Sequence, residues 1–301
     1  MKVLVMSQNL NCLKFLTKSR RLAATILSLG SCLAAIAPTV QPTRANIIGQ
    51  DDRVLPSYQW LTARPRAAVG QLETQRADGK WGHCTFTVVG RNIGLTNSHC
   101  VRDEQGRIPV QAKAYVVRYG TTQLAVANVN AYWTGLAAFP KTPEEWRRDW
   151  AIIRFTTNLG DTTGWYGTVE WNRNDINSAG ATVVGQPTNY IGYPGDWPTD
   201  PALKAYQGYL PALQGGCNIL GKHPQLEVLL HDCDITQGTS GSSLFTAASE
   251  IDFRTMALNN GFIAYPDGTS ISIAVPLERF MPAILKLRAT GAASSTTVIA
   301  P

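Results

Sequence analysis

The first 45 residues contain no aspartate or glutamate, yet they hold six bases: Lys2, Lys14, Lys18, Arg20, Arg21 and Arg44. The formal charge of +6 and the pI near 9.0 arise entirely there. Beyond residue 45, 21 bases face 21 acids. A near-neutral remainder lacks the basic footprint that nucleic-acid binding requires. The same remainder has no apolar run long enough to span a bilayer. It has no internal repeat of about 20–50 residues, which excludes solenoids and propellers. Histidine is scarce, at four residues. C-x-x-C pairs are missing, and His83 and His99 each adjoin a cysteine, so a zinc site is a weak competitor for the cysteines.

The acid-free segment has the build of an export leader. A basic stretch ends at Arg20-Arg21, an apolar run covers residues 22–37, and Thr43-Arg44-Ala45 supplies a small residue before a cut. Residues 1–45 are therefore expected to be a signal peptide. An uncleaved anchor and a lipid on Cys32 are the alternatives. The apolar run continues past Cys32, which disfavours the lipid. The four later cysteines, Cys84, Cys100, Cys217 and Cys233, suit disulfides in an exported chain and permit three pairings. The short-loop pairing joins Cys84 to Cys100 and Cys217 to Cys233, and it is the one expected. Hydrophobic residues make up 44% of the chain, enough to bury a core.

From Ala67 onward, short β-type runs alternate with turns. Examples are residues 84–89, 93–96, 114–119, 124–129, 150–155, 182–184, 190–192, 226–230, 256–258, 261–265 and 271–275. Residues 276–288 differ: Leu277, Phe280, Met281, Ile284, Leu285 and Arg288 fall at helical spacing behind Pro276. Many short strands and one closing helix predict an all-β protein, barrels or a sandwich.

Residues 238–242 read G-T-S-G-S. Such a run is either a polar turn or a tight backbone loop around one exposed hydroxyl, that of Ser240. A serine nucleophile needs an adjacent base, and the base needs an orienting group. His99 ends an apolar strand and adjoins Cys100, which would fix its backbone. Asp149 opens the apolar run Trp150-Ala151-Ile152-Ile153, which places it at a barrel rim. The competing role for Asp149 is a surface ion pair with Arg147 or Arg148. The three residues follow one another at intervals of 50 and 91 positions.

With these motifs in place the chain resembles the trypsin-like (chymotrypsin-fold) serine proteases, and within them the bacterial branch that includes the glutamyl endopeptidases. The resemblance rests on T-N-S-H-C-V at 96–101, D-W-A-I-I-R-F at 149–155, G-W-Y-G at 164–167, I-G-Y-P-G-D at 191–196 and H-D-C-D-I-T-Q-G-T-S-G-S at 231–242. The I-I-G-Q-D-D-R run at 47–53 also resembles the start of such proteins. It implies two antiparallel six-stranded β-barrels with a C-terminal helix and the site between them. Residues 46–66 would be an N-terminal extension or propeptide, 67–165 the first barrel, 166–290 the second barrel with its helix, and 291–301 a flexible tail. It further implies Ser240 as nucleophile, His99 as base, Asp149 as its orienting group, and the N–H groups of Gly238 and Ser240 as an oxyanion hole. Neither metal nor cofactor is implied. The expected partners are protein or peptide substrates, with no nucleic acid and no membrane once the leader is removed, in a secreted or periplasmic location.

Departures from the family pattern carry expectations of their own. Thr239 stands where the trypsin branch has an aspartate that captures a new N-terminus, so that activation device is not expected. Ser243 replaces a common proline, and Asn97-Ser98 replaces Ala-Ala before the histidine. Asp234, six residues before Ser240, has the count of the acid at the base of a trypsin-like pocket. Asn259 or Asn260 aligns with a histidine that binds the substrate carboxylate in glutamyl endopeptidases. Glutamyl specificity is therefore not expected, and a basic P1 preference is the working hypothesis. Two other readings remain: a catalytically silent protease-fold binding module, and a carbohydrate- or surface-binding β protein using Trp133, Trp146, Trp165 and Trp197.

Overall fold

The computed structural model describes residues 39–40, 46–171, 186–290 and 298–299. Apart from 39–40, the expected leader with Cys32 lies outside the described residues, as do the strand expected at 182–184 and most of the expected tail.

The first barrel is built from β1 (Val69–Gln75), β2 (Trp81–Val88), β3 (Ile93–Thr96), β4 (Gln111–Val116), β5 (Ala125–Thr134) and β6 (Ala151–Phe155). Antiparallel pairing runs β1–β2–β3–β6–β5–β4 and returns to β1, so the sheet closes. The second uses β7 (Gln186–Gly192), β8 (Ala212–Lys222), β9 (Leu229–His231), β10 (Ser243–Ser249), β11 (Asp252–Ala264) and β12 (Ser270–Pro276). Its ring is β11–β10–β7–β8–β9–β12–β11. The protein is thus two closed six-stranded antiparallel barrels, with short strands at 39–40 and 167–168 added on β11 and one at 298–299 on β5.

Side-chain alternation explains which strand faces what. β4 alternates between outward and fully buried positions, as a one-sided strand should. β6 is buried on both faces: Ile153 joins the core inside the first barrel, whereas Ile152 joins a second apolar cluster between the barrels. Two-sided burial is why A-I-I-R-F reads as a nearly continuous apolar run. The same cluster receives the closing helix, α4 (Met281–Thr290). Phe280 stacks on Trp150 with centroids 4.9 Å apart. Arg288 donates to the carbonyls of Val89 and Tyr166, fastening the C-terminal helix to the first half of the chain.

Two of the expected elements take a different form in the structure. The runs at 256–258 and 261–265 belong to one strand, β11, whose polar centre Asn259-Asn260 is buried and hydrogen-bonded. The helix begins at Met281, not Pro276. Pro276 completes β12 opposite Ala257, and residues 277–279 form a 3₁₀ turn. Leu285, placed on the apolar face by spacing, is exposed.

Cys84–Cys100 and Cys217–Cys233 are both disulfide-bonded, each closing a separation of 16 residues. The zinc alternative is thereby left without thiolates. The first bond ties β2 to the turn after β3, and the second ties β8 to the segment ahead of residue 238. Each loop is worth about 3 kcal/mol by chain entropy. Replacing Cys84 and Cys100 together with alanine should lower the melting temperature by roughly 6–12 °C, which calorimetry on the parent and variant would measure.

Candidate active site

His99 sits in a single helical turn, α2 (Ser98–Val101), directly after β3. Its Nδ1 lies 2.6 Å from Asp149 Oδ2, and its backbone N–H donates to Asp149 Oδ1 at 2.9 Å. Asp149 is fully buried. Its neighbours do not compete for it, because Arg147 pairs with Glu227 and Arg148 donates to the Gly135 carbonyl. With Nδ1 facing a carboxylate, the proton belongs on Nδ1, and Nε2 is left as the basic nitrogen. The two residues noted in the sequence as replacing Ala-Ala hold this geometry. Asn97 Nδ2 donates to the Asp149 carbonyl at 2.7 Å, and Ser98 Oγ donates to the Trp150 carbonyl at 2.6 Å. Phe139 packs near the imidazole, with ring centroids 5.7 Å apart.

Ser240 comes from the second barrel, in the loop before β10. Its hydroxyl donates to the Asn260 carbonyl at 3.3 Å in this state. The loop around it is fixed through carbonyl oxygens. Gln237 O accepts from Gly195 N–H at 2.6 Å, and Thr239 O accepts from Ser242 N–H at 2.9 Å. In a planar trans peptide the N–H points opposite to the C=O. Binding those two carbonyls therefore aims the N–H groups of Gly238 and Ser240 away from them. Among the described residues neither N–H has an acceptor within the chain. Two such donors flanking a hydroxyl can receive a developing oxyanion.

Glycine is required at two positions here. Gly238 has φ +100°, and a Cβ there would come within 2.4 Å of the Tyr193 carbonyl oxygen. Gly241 has φ +81°, and a Cβ would meet the Thr85 carbonyl oxygen at 2.4 Å. Thr239 fixes the turn locally, because its N–H and Oγ1 both donate to Thr236 O, at 3.1 and 2.7 Å. Thr85 links the halves. Its N–H donates to Ser240 O and its Oγ1 to Gly238 O, both at 2.9 Å. Nothing in the residues around Thr85 signals this role.

His99, Ser240, Gly238, His83, Phe139 and Gln237 line one cleft of about 120 Å³. Asp234, Asn259 and Asn260 do not line it. All three are buried and bonded internally. Asn259 Nδ2 donates to Ser242 Oγ, and Asn260 Nδ2 donates to the Trp146 carbonyl. The Asp234 carboxylate accepts from Ile48 N–H at 2.7 Å and from Asp52 N–H and Gln214 Nε2 at 3.4 Å. The count from Ser240 located the residue but not the direction of its side chain. Trp133, Trp146 and Trp197 are buried as well. Of the four tryptophans considered for a binding surface only Trp165 is exposed.

A family model described as a trypsin-like peptidase domain matches residues 84–251. The chain belongs to that family. Solved structures similar to this trypsin-like peptidase include a Glu endopeptidase in complex with MPD, at 20% identity and TM-score 0.60, covering 81% of this chain and 100% of that one. A protease named Anisep from Arthrobacter nicotinovorans matches at 16% identity and TM-score 0.51, over 71% of this chain and 92% of that one. HL collagenase matches at 14% and 0.55, over 80% and 98%. At such identities the likeness is one of fold. No curated protein matches the sequence.

Of the other histidines in this trypsin-like chain, His231 is fully buried in the second barrel. Burial pushes its imidazole down to about 4, against smaller opposing effects from Ile273 and Asp232. Between pH 6.5 and 4 the unfolded chain takes up a proton that the folded chain refuses, so this group removes stability as pH falls. The loss is on the order of 3 kcal/mol over that window. Asp234, which burial raises to about 6, acts with the opposite sign. Urea unfolding at pH 6.5 and pH 4 should therefore show His231→Leu losing less stability on acidification than the parent, by about that amount.

Proposed function

We propose that the protein is an exported serine endopeptidase that hydrolyses peptide bonds through an acyl-enzyme. One observation carries this reading: the buried Asp149–His99 pair and Ser240 meet at one cleft beside two backbone N–H groups that have no partner among the described residues. Ser240 Oγ attacks the scissile carbonyl while His99 Nε2 takes its proton. The carbonyl oxygen becomes an oxyanion received by the Gly238 and Ser240 N–H groups. His99 then protonates the departing amine, leaving an ester on Ser240. Water, deprotonated by the same imidazole, hydrolyses that ester, and the proton returns to Ser240. Asp149 keeps the proton on Nδ1 and stabilises the imidazolium.

The leader pattern and two disulfides support export, to the periplasm or outside the cell. Among the described residues no helix is long and apolar enough to cross a membrane. A complete set of catalytic groups argues against a silent binding module, and buried tryptophans argue against a glycan-binding surface.

Ser240→Ala or His99→Ala should each lower kcat by about 10⁶-fold, with little further loss in the double variant, because the pair acts as a unit. Asp149→Asn should cost about 10⁴-fold through the wrong tautomer. These magnitudes are those of Ser-His-Asp proteases generally. Covalent labelling by a fluorophosphonate should follow Ser240; labelling that survives Ser240→Ala moves the nucleophile, with Ser242 examined next.

On specificity, Asn259 and Asn260 carry no positive charge and are turned inward, so no preference for glutamate at P1 is expected. Asp234 is buried outside the cleft and bonded to the amides of residues 48 and 52, so its carboxylate is not presented to a basic P1 residue. Peptide-library cleavage read by mass spectrometry should not be confined to bonds after glutamate. Confinement there would refute this reading of the pocket.

A further inference from the structure

Residues 46–54 lie along the second barrel and are bonded to it at both ends. Asn46 exchanges backbone hydrogen bonds with Ile235 at 2.7 and 3.0 Å, and Val54 with Leu213 at 2.8 and 2.9 Å. Between them Arg53 enters the protein with a side chain only 1% exposed. All five of its N–H hydrogens find acceptors. Asp51 accepts from Nε at 2.9 Å and from Nη2 at 2.8 Å. Asp196 accepts from Nη1 at 3.1 Å and from Nη2 at 3.3 Å, and Thr236 Oγ1 accepts from Nη1 at 3.3 Å.

Thr236 also donates its hydroxyl to Asp196, so the guanidinium sits where the 194–197 turn meets the 236–239 loop. The Thr236 carbonyl receives both Thr239 donors, and the neighbouring Gln237 carbonyl receives Gly195 N–H. The Gln237 bond directs the Gly238 amide, and the Thr236 bonds hold the turn in which Thr239 presents its own carbonyl to Ser242 and so directs the Ser240 amide. Thr239 carries no charge with which to capture a chain terminus, so any ionic hold on this loop must come from elsewhere. A planar fork with five donors can hold two segments in a fixed relation, which a point charge cannot.

We propose that Arg53 is a positioning residue for the oxyanion loop: reaching in from residues 46–54, it joins Asp196 to Thr236 and so holds the Gly238 and Ser240 N–H groups in place for the transition state. This rests on the serine-protease reading and extends it. It also makes residues 46–54 a working part of the mature enzyme, not a propeptide to be shed.

Arg53→Gln tests the role, with rates normalised per active site by fluorophosphonate titration. The expected result is a loss of about 100-fold in kcat with KM unchanged, since misplaced oxyanion donors act only on the transition state. Affinity for a peptidyl trifluoromethyl ketone, whose adduct needs the same donors, should fall in parallel. Arg53→Lys, which keeps the charge and loses the fork, should recover only part of kcat. A folded Arg53→Gln protein with parental kcat per active site, or with only KM altered, overturns the proposal. If Arg53→Gln does not fold, Thr236→Val must show the kcat-only loss in smaller measure, and an unchanged kcat overturns the proposal. Mass spectrometry of the active mature protein should find Arg53 retained; full activity in a form cut after it overturns the proposal as well. A parent that neither cleaves peptides nor reacts with a fluorophosphonate overturns the protease reading on which the proposal stands.

Discussion

A carboxylate removed from water costs several kcal/mol unless donors replace the lost hydration. Asp149 is wholly enclosed, and much of the first barrel's rim is arranged around that requirement. Both oxygens are met by His99, one through the backbone and one through the ring. For both bonds to form, α2 must sit at one height and one rotation relative to the start of β6. Asn97 and Ser98 fix that height by binding the backbone of residues 149 and 150, and Cys84 fixes the rotation through the disulfide to Cys100. The orientation of the imidazole is thus a by-product of satisfying a buried charge.

The second half of the site is organised chiefly through backbone carbonyls, with the Arg53 guanidinium braced against Asp196 and Thr236 beside them. The loop that bears Ser240 is held by carbonyls tied off in turn to Gly195, Ser242, Thr239 and Thr85. Thr85 connects the halves: its amide and hydroxyl grip the serine loop, its hydroxyl also accepts from Tyr193 N–H, and its carbonyl accepts from Thr96 Oγ1. Between the barrels, the apolar cluster around Trp150, Ile152 and Phe280 gives this polar seam a rigid backing. Closely packed interiors deform little, so small errors in one barrel are not absorbed by the other.

Local sequence was a sufficient guide wherever a local rule decides the outcome. T-N-S-H-C, D-W-A-I-I and G-T-S-G-S each describe a strand end or tight loop whose backbone is set within a few residues. Together they identified His99, Asp149, Ser240 and the loop glycines as candidates. The closed barrels were implied by resemblance; alternation and turn spacing suggested only many short strands. The illegible parts depend on partners far away in the chain. Arg53 meets Thr236 across 183 positions, and Thr85 meets Gly238 across 153. No periodicity reports such encounters. Asp234 fell between the two cases, because a count along the chain places a Cα but does not aim a carboxylate. The β8 strand was missed because three glycines, at 215, 216 and 221, interrupt its apolar pattern, and register shifts accommodate them.

The fastening of α4 to the first barrel by Phe280 and Arg288 has a consequence for assembly. Residues 69–155 form a ring of their own and can close a barrel that already contains His99 and Asp149. The serine loop follows some ninety residues later, and the helix that locks the two halves together emerges after that. Until then His99 and Asp149 on one side and Ser240 on the other are not held against each other. Assembly of the candidate site is thus tied to the docking of a helix that lies 41 residues beyond the serine loop.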